Sequence, residues 1–107
     1  MKNIIRLNRT GKRPLAFYGT EIAFATNKKK DSNRWVKIRV FKTDKGGYLV
    51  GVAHSTCFVD ERDQFIAEPL KTNRDVIAFI QREVPELAGA IAIQLGQGGW
   101  HNTEEAA

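Results

Sequence analysis

Arg34-Trp35-Val36-Lys37-Ile38-Arg39-Val40-Phe41-Lys42, followed after Thr43-Asp44-Lys45-Gly46-Gly47 by Tyr48-Leu49-Val50-Gly51-Val52-Ala53-His54-Ser55, is the stretch whose reading decides the fold. Side chains alternate between the two faces of a strand, so Val36, Ile38 and Val40 share one side and Trp35, Lys37, Arg39 and Phe41 share the other. The return segment repeats the pattern, with Tyr48, Val50 and Val52 on one side and Leu49, Gly51 and Ala53 on the other. The intervening glycines suit the left-handed position of a short hairpin loop. The pair therefore reads as an antiparallel hairpin with a valine-rich face that needs a cover.

Working towards the N-terminus, residues 3–8 read as a short strand with Ile5 and Leu7 on one side. Thr10-Gly11-Lys12-Arg13-Pro14 reads as a turn, and residues 15–26 as a long strand. Across Gly19 the aromatic phase slips, from Phe17 on odd positions to Ile22 and Phe24 on even ones, and a β-bulge accounts for the slip. Asn27 to Asn33 is a polar basic loop. Towards the C-terminus, Asp60-Glu61-Arg62-Asp63 turns the chain and Gln64 to Leu70 forms a fifth strand.

The period then changes. Thr72 is a candidate N-cap with Asp75 three residues on, and Val76, Ile77, Ile80 and Val84 follow at helical spacing. Pro85 ends that helix and opens another at its first position. Residues 87–95 are apolar nearly all round, so this helix is expected to be sandwiched or to form an interface, with Gly96 as its stop. The expected fold is α+β: an antiparallel meander of four to five strands followed by two C-terminal helices packed on the sheet. Residues 1–96 are expected to form a single domain and residues 97–107 a flexible C-terminal tail.

The chain has 107 residues, 42 % of them hydrophobic and 27 % charged, an ordinary globular balance for one domain. A single cysteine gives no internal disulfide and suits a reducing, cytoplasmic setting. No apolar run approaches a membrane span, and Met1-Lys2-Asn3-Ile4-Ile5-Arg6 turns polar too soon for a secretory signal. The net charge of +5 conceals a division. Residues 1–45 carry thirteen Lys and Arg against three carboxylates, whereas residues 46–107 carry four against nine. Two such poles steer a charged partner onto one face.

The residues that could support catalysis are few. His54 and Cys57 stand three apart, which on a continuing strand sends them to opposite faces. No local cation besides His54 would activate the thiol, and Cys57 reads as a small buried hydrophobe. Adding Asp60 and Asp63 makes a series on strand and turn, without the paired Cys/His spacing of a zinc site. Gly96-Gln97-Gly98-Gly99 follows a helix, where a phosphate cradle must precede one. The expectation is a non-enzyme with no cofactor or metal, and no small-molecule ligand is indicated.

The remaining candidate is the outer sheet face. Trp35, Lys37, Arg39 and Phe41 point out together beside small residues on the next strand, and Ala23 and Ala25 are expected on the same side. Cations that track phosphates and rings that stack on bases suit single-stranded nucleic acid. The loop Lys28-Lys29-Lys30 and the turn residues Lys12 and Arg13 extend the basic track. The order of strands then helix, with basic and aromatic residues on the sheet, is similar in outline to small dimeric single-strand binders of the transcriptional-coactivator type. That likeness is one of topology and transfers no site residue. The expected function is nucleic-acid binding by a homodimer. The alternative is a protein-interaction module (inhibitor, immunity or accessory protein) that docks through the apolar helix or the aromatic sheet face.

Overall fold

Period-two alternation in the central hairpin serves two cores, one on each face of the sheet. The computed structural model describes residues 3–96, and the tail expected over residues 97–107 lies outside the described residues. Five strands, β1 (Asn3–Arg9), β2 (Lys12–Thr26), β3 (Arg34–Thr43), β4 (Tyr48–Thr56) and β5 (Gln64–Leu70), pair in sequence order, each antiparallel to the last. Two helices follow, α1 (Asn73–Glu83) and α2 (Pro85–Leu95). The expected α+β meander with two C-terminal helices is the fold observed.

The valine face is covered as the alternation requires. Ile38, Val40, Val50 and Val52 are buried against Val76, Phe79 and Ile80 of α1 and Leu87, Ala88, Ile91 and Leu95 of α2. Each such large side chain contributes about 1.5–3 kcal/mol by leaving water. Thr72 Oγ1 accepts from the Asp75 amide at 3.0 Å, which caps α1 as the sequence predicts. Pro85 occupies the first turn of α2. Gly46, at φ +97°, turns the β3–β4 hairpin, where its amide donates to the Thr43 carbonyl at 3.0 Å.

β2 is the strand that shapes the molecule. Its first half pairs with β1 and its second half with β3, and the two halves meet at Gly19, opposite both Asn3 and Thr43. A Cβ built on Gly19 would lie 2.5 Å from the Lys42 carbonyl oxygen. A side chain is thus excluded, and the strand bends there. The register also slips between Glu21 and Ala23, so the bulge expected at Gly19 from the aromatic phase lies further along the strand.

The bend carries the β1–β2 hairpin over the second face of the sheet, where Leu7, Phe41, Leu49 and Ala67 make a smaller core with Ile5, Leu15 and Phe17 packed on it. Phe17 meets Phe41 edge to face, with ring centroids 5.4 Å apart. The hairpin is tighter than the turn expected over Thr10 to Pro14, since β2 starts at Lys12. Pro14 sits within the strand at a second slip, between Leu7 and Arg9, where no partner amide is required of it. At the tip, the Thr10 amide donates to the Phe65 carbonyl at 2.9 Å, and Thr10 Oγ1 accepts from the Phe65 amide at 2.7 Å. The sheet is therefore curled into a half-barrel, with β1 reaching towards β5.

The half of β2 beyond the bend has lost β1 as a neighbour, and α2 protects that edge. Gln94 Oε1 accepts from the Phe24 amide at 2.9 Å, and Gln94 Nε2 donates to the Phe24 carbonyl at 2.7 Å. One side-chain amide thus replaces a strand residue. Lower down, Asn27 Nδ2 donates to Glu86 Oε2 at 3.0 Å.

Two glycine substitutions should act in opposite directions. Gly19→Ala places a methyl on the Lys42 carbonyl and should lower stability in urea unfolding by about 2 kcal/mol or more. Gly89→Ala, in an exposed turn of α2 where an added Cβ meets nothing within 4 Å, should raise it by roughly 0.5–1 kcal/mol.

Candidate functional site

Cross-strand register lays out the concave face in rows, because directly opposed residues of an antiparallel pair project on the same side. Trp35 stands opposite Ser55. The next row runs Thr26, Lys37, Ala53, Phe65 from β2 to β5. After it come Phe24, Arg39, Gly51, Ala67, and then Glu21, Phe41, Leu49, Pro69. The folded-over hairpin covers this last row and the Gly51 end of the one before it, where Leu7 lies across Gly51. The rows containing Lys37 and Arg39 keep their β2 and β3 side open, and both cations are exposed.

Two expectations about this face are corrected. Phe41 is 1 % exposed, enclosed beneath Leu7 and Phe17, and it belongs to the second core rather than to a stacking surface. Ala23 and Ala25 oppose Val40 and Ile38 and are buried on the helix side. The bulge moves the phase of β2 so that Phe24, 44 % exposed, projects beside Arg39 instead. Alternation alone puts Phe24 and the alanines on opposite faces, and the slip between Glu21 and Ala23 brings Phe24 onto the face of Phe17. Only the paired register says which face is which.

Trp35 is half-buried, and its indole ring carries the Lys28 ammonium 4.4 Å from the centroid. Its Nε1–H is enclosed and meets no acceptor, so packing and the cation hold the indole in place. The loop that delivers Lys28 is ordered by its own polar groups. Thr26 Oγ1 accepts from the Lys28 amide at 3.1 Å, and Ser32 Oγ accepts from the Lys29 amide at 2.8 Å. Lys29 and Lys30 point into solvent. Lys12 and Arg13 lie at the hairpin tip on the opposite rim, where Lys12 lines a shallow gap with Phe65 and Glu68. The two basic clusters flank the concave face and do not form one continuous track.

Arg39 is partly engaged. Its guanidinium donates to Glu21 Oε1 at 2.8 Å and lies 5.0 Å from the Phe41 ring centroid. Lys37 has no carboxylate partner among the described residues. Beside these cations the sheet and β1 enclose a cleft of about 200 Å³, lined among others by Leu7, Asn8, Lys37, Arg39, Ala53 and Phe65. Phe65 and Asn8 were not recognisable from sequence as members of this site, because the curl of the sheet brings β1 and β5 together.

At the Trp35 end an ion pair locks the β4–β5 loop to the start of β3. Arg34 Nε donates to Glu61 Oε1 at 2.9 Å, a second guanidinium nitrogen donates to Glu61 Oε2, and Thr56 Oγ1 donates to Oε1 at 2.7 Å. The hydrogen bonds from Arg34, then that from Thr56, hold the Glu61 carboxyl below the usual carboxylate range. The same pairing raises the Arg34 guanidinium.

His54 and Cys57 are given different surroundings. His54 stands between Val36 and Gln64 on the helix side of the sheet. Cys57, expected to be buried, is exposed past the end of β4, with Sγ 3.6 Å from Asn33 Oδ1. Strand pairing ends at Thr56, so nothing covers the thiol. Among the described residues, no three of His, Cys, Asp and Glu converge as a metal site, and no helix is long and apolar enough to cross a membrane. Comparison with family models, with curated proteins and with solved structures returns no match.

Because the Glu61 carboxyl is depressed in the folded protein, its contribution is present above the unfolded value and is lost as pH falls through the folded one. The thermal midpoint of the native protein should therefore exceed that of Glu61→Gln at neutral pH, with the gap closing on acidification below the ordinary carboxylate range. Midpoints measured from pH 7 down to pH 2–3 check this, and a gap that widens in acid would contradict it.

Proposed function

We propose that this protein is a non-enzymatic binder of nucleic acid, with single strands favoured, and that it engages the open end of the concave sheet face. One juxtaposition carries the reading. Lys37 and Arg39 stand two residues apart on one strand, about 6.6 Å in extended backbone, beside the exposed Phe24 ring and next to Ala53, the small residue of these rows that Leu7 does not overlie. That spacing is of the order of the step between phosphates in an extended single strand. The small Ala53 side chain lets the strand approach the sheet, the cations take phosphates, and the exposed ring is free to stack on a base. Phe24 thereby takes the stacking role that Phe41 cannot fill. Lys28, Lys29 and Lys30 supply further phosphate contacts from the adjoining loop, and Lys12 and Arg13 do so from the far rim.

Affinity for a single-stranded oligomer should fall steeply with salt, with a logarithmic slope near 0.7 per phosphate neutralised. Lys37→Glu/Arg39→Glu should reduce binding by tenfold or more while the circular dichroism spectrum is unchanged, because both side chains are exposed. Undiminished affinity in this variant would refute the proposed surface.

A second reading, interaction with protein, is favoured by α2. Ile93 is 63 % exposed on its outer side next to Ala90 and Gly89, an uncharged strip on a chain of net charge +5. A second copy of the same chain is the occupant this strip suits, since like-charged molecules meet at least electrostatic cost where neither carries charge. Sedimentation equilibrium should then show a dimer that Ile93→Glu converts to monomer without loss of fold. A monomer for the native chain at high micromolar concentration would exclude the homodimer.

A further inference from the structure

The cleft between β1 and the open rows of the sheet differs in kind from the rest of the concave face. A second cleft, of about 280 Å³, lies at the Trp35–Ser55 row and is lined by polar loop residues such as Asn27, Glu61 and Arg62, whereas here about 200 Å³ is bounded mostly by apolar surface and open on one side. Ala53 forms the floor beside Gly51, which Leu7 overlies, while Arg6 and Asn8 stand with Leu7 on the β1 side and Phe65 on the β5 side. The cleft is open to solvent on one side and is of a size that suits a single flat heterocycle. Mostly apolar walls with a few placed polar groups are what small organic rings require.

Two kinds of lining coexist. The apolar walls give nothing to a phosphate, and the ammonium of Lys37 and guanidinium of Arg39 at the β3 side give nothing to a hydrocarbon. A nucleotide unit satisfies both at once, with its base inside and its phosphates at the cations. Asn8, exposed at the register slip after the inward-facing Leu7, borders the cleft, and its amide, which both donates and accepts, is of the kind that suits a base edge. Gly51 lets Leu7 lie close on the sheet at the border of the cleft, since an added Cβ would meet Leu7 Cδ1 at 3.3 Å and shift it by a few tenths of an ångström.

We infer that this cleft is a pocket for one unpaired base of the bound strand, with Asn8 facing its edge and Lys37 and Arg39 holding the flanking phosphates. The inference rests on the nucleic-acid reading of the face and adds a source of discrimination to it. A base in a duplex is stacked and paired and cannot enter, so preference for single strands comes from the pocket and not from the charge, which duplex and single strand share.

Fluorescence anisotropy separates the two levels, using a labelled oligonucleotide and a strand of equal length whose sugars carry no bases. The native protein should bind the base-bearing strand about tenfold more tightly. Ala53→Leu, which fills the cleft from its floor, should lose most of this preference and keep only the part that stacking on Phe24 supplies. Asn8→Ala, an exposed change, should keep the preference for bases and alter the ranking of the four homopolymers. The pocket is refuted if Ala53→Leu, folded by its thermal midpoint, retains the native preference, because the exposed Phe24 ring would then account for it. If Ala53→Leu does not fold, an unaltered homopolymer ranking in Asn8→Ala refutes it. Equal native affinity for both strands overturns the pocket and the stacking on Phe24, and leaves the electrostatic surface standing. Failure of the native protein to bind either strand at low salt overturns the surface as well.

Discussion

The approach of the Gly19 backbone to the Lys42 carbonyl, 2.5 Å from where a Cβ would stand, is the constraint on which the rest of the structure depends. A strand of fifteen residues that stayed straight would carry β1 off the end of the sheet and leave Phe41, Leu49 and Leu7 in water. Bending at a residue without a side chain returns the hairpin over the sheet, and the second core forms from what would otherwise be an exposed apolar row. Hydrophobic burial drives this closure, and the glycine permits it. The pair of hydrogen bonds between Thr10 and Phe65 then fixes how far the curl proceeds.

The same bend divides the second face into a covered end and an open end, and so creates the candidate site. Under the hairpin the residues opposite one another are apolar, and beyond it they are cationic or small. Glu21 stands at the border and holds Arg39 through an ion pair with both side chains largely exposed, an interaction worth little in stability. Its effect is on charge: Arg39 is partly offset in the free protein, whereas Lys37 presents its full charge. Any phosphate that takes Arg39 must compete with that carboxylate.

A cost of the bend is the edge it exposes on the distal half of β2. The amide of Gln94 meets both backbone groups of Phe24, which prevents that position from templating another strand. Placing Gln94 there also orients α2, so that Leu87, Ala88, Ile91 and Leu95 face the sheet while Gly89, Ala90 and Ile93 look outward. The nearly all-round apolarity of this helix is thus only half accounted for by burial within the chain.

The local periodicities carried the architecture. Alternation in Val36 to Val40 and Tyr48 to Val52, the Thr72 cap and the Pro85 boundary each follow from short-range sterics and hydrogen bonding, so strands, helices and the identity of the main core were readable residue by residue. The slip in β2 was readable too, as a change of aromatic phase across Gly19. Which face each side of the slip joined was not, because alternation gives two sets of residues without saying where either points. Pairing with β3 put Ala23 and Ala25 under the helices and Phe24 beside Arg39. Phe41 shared its strand face with Lys37 and Arg39 as the alternation requires, and only the folded-over hairpin made it core. A cleft with walls from β1 and β5, distant in sequence, exists solely because the sheet curls, and curvature is a property of how strands pack against one another rather than of any one strand.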